Sequence, residues 1–303
     1  MKKTWFGVVL LPLAVALIAI ALVGSETTQA RETASPAESN AVSQGTPTHP
    51  TRVFECFRVD IADNQPGGDP KAVVRLSTLN FGGKLVRVRK LVAMCELAIK
   101  VPPQAPGTPD DTPKPPDADL ARIFACYEIQ KGNDPNDPYI LATNNFGRDF
   151  VQVRTSKQMC EEASKTVVTA TGETVTVGEP TGEVWQCFNL DRSKNNNLKF
   201  RLVTHNFGRD DVTVFRGTQL CEDAVKLRQI NGTIVESGHA TGKVAECFRI
   251  EAKLDPKAKV TLRTSNFGTV DVTVRRAGTM CELAEKTPVL IFPNDPTDPA
   301  DTE

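Results

Sequence analysis

Histidine is scarce in this 303-residue chain: only His49, His205 and His239 occur, and no two cysteines form a C-x-x-C pair. A structural zinc site needs four sulfur or nitrogen ligands at short paired spacings, so the sequence offers no metal site. It also holds no Gly-rich phosphate loop and no His/Asp/Ser set. The pair Asp210-Asp211 reads as a loop. The expectation is a protein that is not an enzyme, with no catalytic residue, no metal and no cofactor. Charge of one sign is lacking as well. Lys and Arg number 36 against 37 Asp and Glu, interspersed along the chain, so no overall field points to nucleic acid or to an anionic membrane. After Val23 no second apolar run is long enough to span a bilayer.

What is present begins with Lys2 and Lys3, an apolar run from Trp5 to Val23, and small or polar residues up to Ala30. That is the layout of a secretory signal. The run is near the roughly 20 residues that cross a bilayer, so over residues 1–30 the expectation is a signal peptide or an N-terminal anchor. Residues 31–50, rich in Ser, Thr, Pro, Glu and Ala, read as a disordered stalk.

The rest is organised by repetition. Asn-Phe-Gly stands at Asn80-Phe81-Gly82, Asn145-Phe146-Gly147, Asn206-Phe207-Gly208 and Asn266-Phe267-Gly268, and from each Asn it is 15 residues to a cysteine, at Cys95, Cys160, Cys221 and Cys281. Each copy opens with another cysteine, Cys56, Cys126, Cys187 or Cys247, in a strand-like run followed by an aromatic: Phe57, Tyr127, Phe188 or Phe248. A second strand alternates with period two, placing Leu76, Leu141, Leu202 and Leu262 inward between flanking pairs such as Val74 and Thr78. A return strand follows, carrying Val86 with Val88, Val151 with Val153, Val212 with Val214, and Val272 with Val274.

Each copy closes with an apolar residue, Cys, Glu, any, Ala, any, Lys, from Met94 to Lys100 in the first. The spacing predicts a short helical turn with Glu96 four residues before Lys100, an i,i+4 ion pair. The expected fold class is therefore all-β with one such turn per repeat, a tandem array of four small β modules. Their bounds are 51–100, 120–179, 180–239 and 240–293. A Pro- and Asp-rich linker at 101–119 sets the first apart, and an acidic tail occupies 294–303. Residues 166–177 and 229–235 read as hairpins, the second around Asn231-Gly232. Asn231-Gly232-Thr233 also fits an N-glycosylation acceptor.

Units this small need staples, and eight cysteines in an exported chain read as disulfides. Separations within a repeat are constant at 34 once a five-residue insertion in the first loop is allowed for. Those between repeats wander over 31, 27 and 26. The spacing thus predicts Cys56–Cys95, Cys126–Cys160, Cys187–Cys221 and Cys247–Cys281, each closure removing about 4 kcal/mol of unfolded-state entropy.

Cys-(Phe/Tyr)-x-(Ile/Val/Leu), a central (Asn/Asp)-x-Phe-Gly and a closing Leu/Met-Cys resemble a tandem-repeat family of unknown function in exported bacterial proteins. The resemblance covers all four repeats and implies export and an all-β stapled repeat. It transfers no catalytic residue and no ligand.

Three functions follow as expectations. The first is a non-enzymatic structural or adhesion scaffold, secreted or in the cell envelope, with an unknown protein or glycan partner. Contact with nucleic acid is not expected, and contact with a membrane only through an uncleaved N-terminal segment. The second is a binder of acidic polysaccharide through Arg75, Arg87, Arg89, Arg201, Arg263 and Arg275; the third is an enzyme of unrecognised type. The four Asn-Phe-Gly elements could form a stacking platform for sugars or bases, but the preferred reading is a structural turn whose Phe caps the core. The Asp-Pro clusters at Asp134–Pro138 and Asp295–Pro299 lack the spacing of a calcium loop.

Overall fold

The computed structural model describes residues 51–62, 65–103, 122–168 and 171–289. The signal or anchor, the stalk, most of the linker and the acidic tail lie outside the described residues. Among those described, no helix is long and apolar enough to cross a membrane.

The described residues are all-β apart from one 3-10 turn, and each repeat contributes the same three strands. The opening strands are β1 (Thr51–Ile61), β4 (Ile123–Gln130), β8 (Val184–Asp191) and β12 (Val244–Glu251). The second strands are β2 (Val73–Thr78), β5 (Asp137–Thr143), β9 (Leu198–Thr204) and β13 (Lys259–Thr264). The long return strands are β3 (Gly82–Val101), β6 (Gly147–Val168), β10 (Gly208–Ile230) and β14 (Gly268–Pro288). Two short strands, β7 (Thr174–Val177) and β11 (Thr233–Ser237), fold back on the tips of β6 and β10 as the expected hairpins.

Opening and return strands alternate around a closed antiparallel ring: β1, β3, β4, β6, β8, β10, β12, β14 and back to β1. An inner barrel of this strand number has just enough room for side chains. Closure removes every edge at its waist.

Each second strand forms a hairpin with its own return strand and then pairs with the tip of a return strand two repeats away: β2 with β10, β9 with β3, β5 with β14 and β13 with β6. The hairpins therefore wrap the outside of the barrel. Every repeat is hydrogen-bonded to all three others.

The long strands manage both roles by bulging at one place. The register between a return strand and the next opening strand slips around Leu91, Ser156, Gly217 and Ala277. Such bulges bend a strand, here turning it from the outer hairpin into the barrel.

Met94–Lys100 and its counterparts are extended strand, not the expected helical turn. The segment Met-Cys-Glu-x-Ala-x-Lys satisfies a period of two as well as a period near four. Its strand face puts Cys95 into the lumen and Met94, Glu96, Ala98 and Lys100 into the layer beneath the hairpins. Ladders on both sides of the strand decide the conformation.

Between barrel and hairpins lies the main core. The inward positions expected from the second strands, among them Val74, Leu76, Leu141, Phe200, Leu202, Val260 and Leu262, are buried there. So are the aromatics after the opening cysteines, Phe57, Tyr127, Phe188 and Phe248. Burying one such side chain contributes about 1.5–3 kcal/mol.

The insertion in repeat one also proves structural. It holds a single turn of 3-10 helix at Pro66–Gly68 that lies against repeat four. A Cβ on Gly67 would sit 2.6 Å from the carbonyl oxygen of Thr269, and the Asp271 amide donates to Gln65 Oε1 at 2.5 Å. The inserted loop covers the junction where the ring closes.

Candidate functional site: the barrel axis and its ring of ion pairs

The four disulfides join Cys56 to Cys95, Cys126 to Cys160, Cys187 to Cys221 and Cys247 to Cys281, each across one repeat's opening and return strands. The paired residues stand directly opposite in the ladder, with Cα atoms 3.9–4.0 Å apart. Alternation then directs all eight sulfurs into the lumen. Neighbouring bridges touch: Cys95 Sγ lies 3.6 Å from Cys126 Sγ, and Cys221 Sγ lies 3.5 Å from Cys247 Sγ.

This sulfur layer divides the lumen. On one side, two residues before each opening cysteine, stand Phe54, Phe124, Trp185 and Ala245, around a cavity of about 40 Å³. Arg122 lies over the rings of Phe54 and Phe124 and is ion-paired with Glu162 and Glu183. On the other side is a polar cup of about 420 Å³ lined by Arg58, Gln158, Asn189, Thr218, Gln219 and Thr279, with sulfurs as its floor.

Around the barrel, buried ion pairs form a second ring. Lys165 Nζ is 2.7 Å from Glu96 Oε2, Lys226 is 2.7 Å from Glu161, and Lys286 is 3.2 Å from Glu222. Lys100 closes the circle at 2.7 Å from Glu282. Each lysine thus reaches the glutamate of the preceding repeat. The expected i,i+4 pair between Glu96 and Lys100 does not form. Burial pushes all four ammonium groups below their ordinary range, and the partner carboxylate opposes that shift in each.

The Asn-Phe-Gly elements complete the network. Asn80, Asn145, Asn206 and Asn266 donate from Nδ2 to Oε1 of Glu222, Glu282, Glu96 and Glu161 at 2.5–2.6 Å, always across to the opposite repeat. Phe81, Phe146, Phe207 and Phe267 lie 4.2–4.9 Å from the ammonium groups of Lys286, Lys100, Lys165 and Lys226. A cation over a desolvated ring is stabilised by about 2 kcal/mol. The same rings pack on the opposite repeat's post-cysteine aromatics, as Phe146 does on Phe248 at 4.2 Å.

Each turn is locked by its Phe amide donating to the threonine three residues earlier, Thr78, Thr143, Thr204 or Thr264, at 3.1–3.2 Å. Gly82, Gly147, Gly208 and Gly268 take φ of 67–78°, the left-handed region in which glycine is unstrained. The sequence reading of these elements as turns identifies their local shape but misses their role as latches between repeats.

No family model, no curated protein and no solved structure matches the chain.

Among the described residues no group of three or more metal-ligating side chains converges. His205 is partly buried and its Nδ1 has no hydrogen-bond partner. His239 is exposed. Neither sits on the axis. Of the outward arginines, Arg201 pairs with Asp211 at 2.8 Å, Arg275 with Asp60 at 2.5 Å and Arg89 with Asp69 at 3.9 Å. Arg75, Arg87 and Arg263 are exposed. Asn231 is exposed at the turn joining β10 to β11.

Two buried carboxyl groups stand apart from the ring. Burial, with the charges of Asp210 and Glu96, raises Glu55 well above the carboxylate range. Burial and then Asp149 raise Glu246 to about 8. Gly217 faces Glu246, and a Cβ there would lie 2.4 Å from Glu246 Oε1.

Proposed function

We propose that the protein is an exported, non-enzymatic scaffold that offers the outer faces of its hairpins to a protein or glycan partner in the cell envelope or extracellular space. Four buried disulfides carry the export half of this reading, because such bridges persist where thiols are not kept reduced. The N-terminal 30 residues, read as a secretory signal or anchor, agree with it. The scaffold half is supported by the use made of the polar residues common to all repeats. Each Glu, Lys and Asn is committed to holding one repeat against another. A closed, cross-linked body suits rigid presentation of a surface.

Acidic polysaccharide remains the second reading because Arg75, Arg87 and Arg263 are exposed. It is weakened by the aspartates paired to Arg89, Arg201 and Arg275. The two readings separate on an acidic-glycan array run at low and high salt. The scaffold reading predicts no retention that depends on Arg75 and Arg87. Salt-sensitive retention lost in Arg75→Ala with Arg87→Ala supports the second. Alkylation of the producing culture before lysis tests export: the expected mature protein has no free thiol, and a reduced cytosolic pool would contradict it.

A further inference from the structure

The polar cup differs from the rest of the molecule in how its residues are used. At the positions two residues past the opening cysteines the repeats carry three different residue types, Arg58, Glu128, Asn189 and Arg249. Two residues before the closing cysteines they read Ala93, Gln158, Gln219 and Thr279. The similarity that holds through the core is thus relaxed on this surface. The volume of about 420 Å³ falls within the roughly 300–1,000 Å³ of cavities that hold small ligands.

Its chemistry is selective. Arg58 is exposed and its guanidinium lies over Gly278, whose missing side chain makes the room: a Cβ there would come within 3.2 Å of Arg58 Nε. The Arg249 guanidinium lies instead over the ring of Phe215 at 4.6 Å and does not line the cup. One cation therefore faces the cavity, which suits a single carboxylate better than a dianion. Gln219 Nε2 donates to Gln158 Oε1 at 2.9 Å, leaving a Gln158 amide donor and the second Gln219 N–H for a ligand. Asn189 and Thr279 add further donors and acceptors. The sulfur floor is apolar enough to accept a ring face.

We infer that the cup binds a small hydroxylated carboxylate of the size and chemistry of a uronic acid, with Arg58 pairing to the carboxylate and the amides to its hydroxyls. This site is separate from the outward arginines, so it stands or falls independently of the scaffold reading.

The test is NMR titration of the oxidised full chain with glucuronate, following the side-chain amide signals of Gln158, Asn189 and Gln219, with acetate and glucose as comparisons. The expected result is saturable shifts for glucuronate, with acetate at least about tenfold weaker and glucose weaker still. Arg58→Ala should weaken glucuronate by about tenfold or more, and Arg87→Ala on the outer hairpin should leave it unchanged. Because Arg58 is exposed, the variant is expected to fold, checked by an unchanged melting temperature. Should it melt lower, Gly278→Ala, which crowds Arg58, serves as the second variant with the same expected weakening. Absent shifts with glucuronate, or equal affinity in Arg58→Ala, would overturn the inference.

Discussion

Replacing Lys226 by methionine removes one ammonium from the ring while keeping most of the volume of its stem. Lys226 and Glu161 are both fully buried and 2.7 Å apart. In the variant Glu161 keeps the amide of Asn266 at 2.5 Å and loses its counter-charge. Stripping one partner from a buried pair costs about 3–5 kcal/mol, because the remaining charge is left uncompensated. Loss of the ammonium over Phe267 adds to this. The expected result in denaturant unfolding of the oxidised protein is an unfolding free energy lowered by that amount, read as a lower midpoint at constant slope. Adding Glu161→Gln to the variant removes the stranded charge and should restore part of the loss, giving a coupling energy of about 1–3 kcal/mol in the double-mutant cycle. Lys100→Met carries the decisive comparison. Lys100 reaches Glu282 in repeat four, so in a closed ring it should cost as much as Lys226→Met. A loss below about 1 kcal/mol for Lys226→Met would refute the assignment of the ring as a buried charge network. A neutral Lys100→Met beside a costly Lys226→Met would refute its closure.

Glu246 gives a pH dependence of definite sign. Its carboxyl is raised to about 8 in the native state from an ordinary 4.5, so the folded protein holds a proton that the unfolded chain releases. Stability from this group is complete below about pH 4.5 and falls as pH rises through about 8. Glu246→Gln should flatten that slope in denaturant midpoints measured across the interval, and an unchanged slope would contradict it. Cys160→Ala leaves Cys126 as a thiol 3.6 Å from Cys95. Attack of the Cys126 thiolate on Cys95 Sγ, expelling the Cys56 thiolate, should give a Cys95–Cys126 bridge in non-reducing peptide maps, whereas a persistently free Cys126 would count against the sulfur stacking. At the closing junction Gly67→Ala brings a methyl to 2.6 Å from a backbone oxygen and should lower the melting temperature. Gly208→Ala, where φ is 77° and nothing crowds the site, should cost about 1–2 kcal/mol from backbone strain alone.

The strands, their inward faces and the sulfur pairing were legible in the sequence because each is local. Leu76, Leu141, Leu202 and Leu262 recur at one offset from Asn-Phe-Gly, and the cysteine separations are constant only within a repeat. The segment after the return strand was not legible in the same way. Met94, Glu96, Ala98 and Lys100 suit a helical turn by their spacing at four and a strand by their spacing at two, and the pairings that settle the matter come from other repeats. The fixed Cys-Glu-x-x-x-Lys in every copy was the signal for the ion-pair ring. It was readable as a repeated pair, but nothing in the spacing says that the partner lies in the neighbouring copy. Closure is further from reach still. It depends on the register of β1 against β14, more than 200 residues apart in sequence, and on an insertion whose contacts appear only once the ends meet.

That junction is also where the account is most directly measured. Asp60 and Thr273 face each other across β1 and β14, and the Asp60 side chain is 62 % exposed. Substituting Asp60→Cys together with Thr273→Cys places two thiols on adjacent strands of repeats one and four. A closed barrel predicts a fifth intramolecular bridge linking positions 60 and 273 in the monomer. Two free thiols, or bridges only between separate chains, would mean that the four repeats do not meet end to end.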